Sequence, residues 1–236
     1  MASDDGAMGV VRDRQELLSG VVYERRDGSV VLRLDAPWQV LSSAVLGGGR
    51  RHARAVVNLH VPLTYRSERP ERDLREAARA LGLAGPVVGL MTAVDLAEAQ
   101  VFAGQVGETA VRAIITAGLR NASRPGDPAG DAPGTINVIF FCATGLRDPA
   151  AVELAMLIAE AKAAAMVESG LVTPSGRRAS GTSTDAIAIL WRQTRGPEIR
   201  HAGASTGLGE LAGRIMTSAV EAALARTGPR TVSEQP

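Results

Sequence analysis

One ammonium group, one hydroxyl-rich loop and three side-chain amides are the groups in this sequence best placed to do chemistry. The ammonium is Lys162, the only lysine in the chain. The loop is Ser180-Gly181-Thr182-Ser183-Thr184-Asp185. Its hydroxyls and backbone N–H groups can gather around an anion or an oxyanion. Asp185 can orient a water there or pair with Lys162. The amides are Asn58, Asn121 and Asn137, the only three asparagines. A side-chain amide is a neutral donor and acceptor, suited to gripping an amide substrate or an oxyanion. Each group also has an ordinary reading. A lone lysine can survive a codon bias and snorkel to a helix edge. The loop can be a turn capped by Asp185. Each asparagine can satisfy a neighbouring strand end or loop.

The element that must position Lys162 is the stretch 148–170, which reads as one long helix. Asp148 can cap it, Pro149 suits its first position and Gly170 can end it. At about 100° per residue, Glu153, Glu160 and Glu168 fall on one side, the expected solvent face. Lys162 falls roughly opposite Glu153, among Ala151, Ala155, Ile158, Ala159 and Met166. A buried ammonium needs a partner. Such a group serves as a tuned base, or as a cation holding a polarised carbonyl.

The strands that frame this helix follow from turn signals and apolar runs. Residues 21–34 form a hairpin pattern with Asp27-Gly28 at the turn. Residues 38–50 begin as a third strand and end in a triple-glycine loop. Residues 53–63 are a strand in which Asn58 and His60 share a side. Residues 69–83 are a surface helix ended by Gly82, with Leu74, Ala77, Ala78 and Leu81 inward. Strands follow at 86–94 and, as a pair joined near Gly107, at 99–119. A Gly/Pro/Asp loop covers 121–134. The strand 135–144 precedes the long helix, and the strand 186–193 follows the hydroxyl-rich loop. Residues 207–226 form a closing helix with Leu208, Leu211, Ile215 and Ala222 inward. Residues 1–16 and 227–236 read as flexible tails around one domain at 17–226. The fold class is therefore α+β: a single domain with a mixed, largely antiparallel sheet packed with about three helices.

Composition narrows the functions. The chain is 45% hydrophobic but only 3% aromatic, so the core must be aliphatic. A net charge of +1, with arginines scattered among Asp and Glu, argues against a nucleic-acid surface. Cys142 is alone in an apolar run and reads as a small core residue. The N-terminus lacks a signal peptide pattern and no apolar run is long enough to span a membrane, so a cytoplasmic protein is expected. His52, His60 and His201 are widely spaced, and neither HExxH nor a Cys cluster appears, so no metal site is expected. His60 has two readings, a general base or substrate donor and a satisfied core histidine. Glu210 opens a polar stripe with Arg214, Thr217 and Glu221, for which an i,i+4 ion pair is the ordinary account.

Taken together, several segments resemble the adenosylcobinamide amidohydrolase family of corrinoid salvage. They are LSSAVLGGG (41–49), VVNLHVPLTY (56–65), VGLMTAVD (88–95), AGLRNASRPGDP (117–128), GTINVIF (134–140), EAKAAAM (160–166), SGTSTDA (180–186) and STGLGELAGR (205–214). They occur in the family's order. One departure is Ser180, where the family often has Thr; the hydroxyl is kept. The resemblance implies hydrolysis of the amide that joins the corrin ring's propionyl arm to aminopropanol in adenosylcobinamide, and in some members in intact cobamides. The products would be adenosylcobyric acid and 1-amino-2-propanol. The corrinoid is then the substrate, and no cofactor is required. The expected catalytic set is Lys162, Asp185, Thr182, Ser183 and Thr184, with a hydroxyl acting as nucleophile or as a contact that positions water. Asn58 and Asn137 would stabilise the oxyanion or hold the corrin's amides. His60, Ser42, Ser43, Gly48, Asn121, Thr135, Glu160 and Glu210 complete the expected substrate-binding set. Neither nucleic acid nor membrane is an expected partner, and a homodimer is an open option. Two other readings stand beside this one: a non-catalytic corrinoid carrier or sensor, and an acyl-transfer enzyme with a self-cleaved N-terminal nucleophile.

Overall fold

The computed structural model describes residues 13–128, 134–193 and 196–227. The tails expected at 1–16 and 227–236 lie largely outside them. Within the first, however, a strand is already formed: β1 spans Arg14–Leu18 and pairs antiparallel with β2, Val21–Arg26. The hairpin to β3, Ser29–Ser42, turns on Asp27 and Gly28, both with positive φ (49° and 65°). Two consecutive positive-φ residues match the twist of the flanking strands.

The third strand expected at residue 38 is instead the second half of β3. The ladder with β4, Gly49–His60, shifts register between Arg33 and Trp38. The interruption contains Pro37, which has no N–H to give to a ladder. The first half of β3 pairs with β2 and the second half with β11, Ala186–Trp191, while β4 runs along the whole of the other edge. This break folds one nine-stranded sheet into two layers. One layer holds β1 to β5, with β5 at Val87–Thr92 parallel to β4. The other holds β6 (Gln100–Val106), β7 (Thr109–Ala117), β9 (Ile136–Cys142) and β11.

Burial separates the layers cleanly. Val21, Tyr23, Leu32, Val56 and Leu90 of the first layer meet Ile114, Ile139, Phe141 and Leu190 of the second with no helix between them. The opposite face of the second layer packs on α2, Asp148–Glu168, and α3, Gly207–Thr227. α1, Pro70–Ala80, covers the first layer through Leu74, with Leu81 just past its end. The stack is helix, sheet, sheet, helix, and it is α+β with a mostly antiparallel sheet.

Local chemistry sets the helix ends, with small differences from expectation. Asp148 is the first residue of α2 rather than its cap, and it pairs with Arg50 at 3.0 Å. Gly170 takes φ +80° and ends the helix as expected. In α3 Ala222 is only half-buried, and the buried alanines are Ala212, Ala219 and Ala223. Among the described residues no helix is long and apolar enough to cross a membrane.

Cys142 lies at the end of β9 with no exposed surface. Burial pushes its thiol up to about 11. The native chain is therefore expected to resist a thiol alkylating agent at pH 8 and to react stoichiometrically once unfolded. Rapid labelling of the folded protein would contradict this placement.

Candidate active site

β9 and β11 are parallel neighbours that begin at the same end of the sandwich, with Ala186 opposite Asn137. The parallel pair β4 and β5 finishes at that end, with His60 opposite Thr92. Two short strands close the corner. β8 (Ala122–Ser123) pairs with β10 (Gly181–Thr182), and the Ser180 N–H donates to the Ser123 carbonyl at 3.0 Å. The turn Ser183-Thr184 then leads into β11.

Asp185 is the hub of this corner. Its carboxylate accepts from the backbone N–H of Ile136 at 2.9 Å and of Thr182 at 3.1 Å. It also accepts from the Thr182 hydroxyl and from the Lys162 ammonium. The two charged side chains are only 14% and 11% exposed, so the pair sits almost dry between α2 and β10. Four donors on one carboxylate make it the organising group of the corner. Gly181 is what lets the pair approach the strand: a Cβ there would lie 2.6 Å from Asp185 Oδ2 and 2.7 Å from Lys162 Nζ. Gly181→Ala is expected to force the pair apart, lowering both the melting temperature and turnover. An unchanged melting curve would show that the corner has room that the geometry denies.

A second node is the Gly134 carbonyl. It accepts from Asn121 Nδ2 at 2.8 Å, from the Thr184 hydroxyl at 2.9 Å and, more weakly, from the Thr182 hydroxyl at 3.4 Å. Asn121 Nδ2 also donates to the Ser183 hydroxyl at 2.7 Å, and the Thr135 hydroxyl donates to the Thr184 carbonyl at 2.7 Å.

The other two asparagines form a buried polar ladder between the layers. Asn137 Nδ2 donates to Asn58 Oδ1 at 2.9 Å and to the Met91 carbonyl at 2.7 Å. Asn58 Nδ2 donates to Thr116 Oγ1 at 3.1 Å. Both residues are 1% exposed. Both N–H groups of Asn137 are thus engaged within the protein, and Asn58 is not in the lining of the cleft at this corner. Neither amide is placed to stabilise an oxyanion; they tie β4, β5, β7 and β9 together beneath the site. Asn137→Ala strands the buried Asn58 Oδ1, at about 1–3 kcal/mol, and removes the donor to the part-buried Met91 carbonyl. The melting temperature should fall clearly, and a shift within error would mean that the ladder re-pairs.

A cleft of about 380 Å³ opens at this corner. The turn residues Ser183 and Thr184 form one wall, with Gly134, Thr135 and Asn137 behind them. Val45, Leu63, Tyr65, Arg66, Met91 and Thr92 are among the lining residues that sequence reasoning missed. They lie in or beside segments singled out for other residues, but apolar positions there read as ordinary loop or strand. Tyr65 is tied to α1 by a hydrogen bond from its hydroxyl to Asp73 Oδ2 at 2.5 Å. Burial and this bond raise the Tyr65 phenol, and the same bond holds the Asp73 carboxyl below its usual range. A smaller cavity of about 290 Å³ adjoins the cleft across Leu63, Ala93 and Gly134 and has Arg120 and Arg226 in its lining. Lys162, Asp185 and Thr182 line neither; they stand behind the turn.

The remaining expected residues are placed elsewhere or do other work. Ser42 donates to the Ile187 carbonyl at 3.0 Å, and Ser43 accepts from the Ile187 N–H at 3.0 Å, so both fasten β3 to β11. Gly48 packs its backbone on Ala44, where a Cβ would meet the carbonyl at 2.6 Å. His60 is exposed at the end of β4 and does not line the cleft. Glu160 is exposed on α2, away from Lys162's side. Glu210 is exposed on α3 and pairs with Arg214, one helical turn on. Among the described residues no three of His, Cys, Asp and Glu gather to hold a metal ion.

Comparison of the sequence with known proteins agrees on one family. A family model described as adenosylcobinamide amidohydrolase (CbiZ) matches residues 14–231. An adenosylcobinamide amidohydrolase of Methanosarcina mazei is 30% identical over 214 residues, which is 87% of this chain and 98% of that protein. One of Halobacterium salinarum is 30% identical over 207 residues, 82% of this chain and 84% of that protein. Among solved structures, a Burkholderia sp. beta-aminopeptidase aligns with a TM-score of 0.44 at 12% identity, over 84% of this chain and 78% of that one.

Proposed function

Because the chain belongs to the adenosylcobinamide amidohydrolase family, we propose that it hydrolyses the amide linking aminopropanol to the corrin ring of adenosylcobinamide. Water supplies the oxygen. Its oxygen bonds to the acyl carbon, the carbon–nitrogen bond breaks, and a proton from water passes to the departing nitrogen. The acid product, adenosylcobyric acid, loses its proton to the amine at neutral pH.

The observation that carries this reading is the turn Ser183-Thr184, set in the wall of the cleft and held from behind by Lys162, Asp185 and Thr182. Amide hydrolysis needs rigid polar groups facing the carbonyl as its charge develops. The turn supplies them at the start of β11, a strand paired on both sides, where packing fixes their position. The cleft's size fits the substrate's shape. At about 380 Å³ it admits one peripheral arm of a corrinoid, and the macrocycle lies across its mouth. Val45 and Leu63 stand in the lining and are 45% and 43% exposed, giving the ring an apolar seat. Hydrolysis needs no bound metal in this scheme, so prior treatment with a chelator should leave the rate unchanged.

The test is mass spectrometry of the purified chain incubated with adenosylcobinamide. Appearance of adenosylcobyric acid and aminopropanol is the expected result. Binding without release of aminopropanol, from adenosylcobinamide or from intact cobamides, would overturn it in favour of a corrinoid carrier.

A further inference from the structure

The hydroxyls at the corner differ in where their protons go. Thr182 donates to Asp185, Thr184 to the Gly134 carbonyl and Thr135 to the Thr184 carbonyl. Ser183 is the exception. Its Oγ accepts from Asn121 Nδ2 at 2.7 Å, and its own proton has no acceptor among the described residues. It is exposed and lines the cleft. Thr92, on the facing wall, also accepts, from the Val94 N–H at 3.1 Å, but it is 1% exposed.

The orientation of Asn121 is fixed by its neighbours. Its Nδ2 faces the Gly134 carbonyl, which cannot donate, so a flipped amide would set two oxygens against each other. Among the described residues Asn121 Oδ1 is buried without a partner, and it lies against Gly134, where a Cβ would be 2.2 Å away. Both of the amide's donations are kept. One of those donations points Ser183's remaining proton away from Asn121 and makes its hydroxyl a stronger donor.

Resting on the proposed amide hydrolysis, we infer that Ser183 donates a hydrogen bond to the scissile carbonyl oxygen as it becomes an oxyanion, and that Asn121 is the positioning residue that aims it. Among the described residues no carboxylate, imidazole or amine bonds to Ser183 Oγ. Ser183 therefore keeps its proton and forms no covalent bond to the acyl carbon.

The test measures kcat and KM separately, across pH, for the full chain acting on adenosylcobinamide. Ser183→Ala should lower kcat by about 10²- to 10³-fold, the usual effect of losing one oxyanion donor. KM, the shape of the pH profile and the melting temperature should hardly move. Ser183→Thr, which keeps the hydroxyl, should recover much of the rate. Asn121→Ala should lower kcat in the unaltered chain and have no further effect beside Ser183→Ala, because it acts through that hydroxyl. Three results would overturn the inference alone: full turnover by Ser183→Ala, an equal effect of Asn121→Ala in both backgrounds, or an acyl adduct on Ser183. No turnover by the unaltered chain would overturn the proposed function, and this inference with it.

Discussion

Replacing Lys162 by Met should lower turnover of adenosylcobinamide by roughly 10²-fold or more, the scale on which an ångström of misplacement acts, and should also lower the melting temperature. The second effect follows from what remains. Met fills the volume of the lysine stem but leaves the Asp185 carboxylate nearly buried with no cation beside it. Removing one partner of a buried pair costs about 3–5 kcal/mol. The pair here keeps a small exposure and the carboxylate keeps three other donors, so about 3 kcal/mol is the better figure. Stability and activity can be separated by a second change. In Lys162→Met with Asp185→Asn no charge is stranded, so the melting temperature should partly recover. Turnover should stay low, because a neutral amide has one acceptor oxygen for the three donors that remain and the turn loses its anchor. Recovery of both together would mean that the ion pair serves stability alone. Full activity in Lys162→Met would remove Lys162 from the site altogether.

Gly134→Ala is expected to be nearly as damaging, through a different contact. Gly134 needs no unusual backbone angle; the constraint is space. The added Cβ would lie 2.2 Å from Asn121 Oδ1, 2.8 Å from its Cγ and 3.0 Å from the Gly118 carbonyl. Asn121 has a short side chain held at two points, so relief requires it to swing away. Both donations are then lost, and the Ser183 hydroxyl is no longer aimed. Turnover should fall by about 10²-fold, comparable with the loss of one oxyanion donor. Adding Asn121→Ala to Gly134→Ala removes the clashing atoms, so melting should recover while turnover does not. Such non-additivity is the mark of two residues sharing one contact. Additive losses in the double variant would show that Gly134 acts elsewhere, for example on the Gly118 carbonyl.

Parts of the site were legible because they depend on local pattern. The helical period of 148–168 put Lys162 opposite Glu153, and that is its buried side in the structure. The hydroxyl-rich loop before an apolar strand pointed to Asp185 as a partner for Lys162, 23 residues away, and the pair forms. Strand β3 was misread because its interruption at residues 34–37 looks like a strand end. Only its pairing with β4 on both sides of Pro37 makes it one strand. β1 was missed because five short residues with two charges carry little signal without the neighbour that pairs with them.

The sequence by itself determined most of the α+β elements, the inward lysine and the hydroxyl-rich loop before β11, since hydrophobic period and turn chemistry are properties of neighbouring residues. Tertiary structure decided which polar groups are left for a substrate. Asn137 meets Asn58 across 79 residues, and Asn121 meets Ser183 across 62. A hydrogen-bonding group has a fixed number of protons and lone pairs, so its availability depends on every partner the fold brings within reach. That is why the sequence pointed to Asn58 and Asn137 for the oxyanion, yet these two are engaged in a buried ladder and Asn121 is left to aim a hydroxyl.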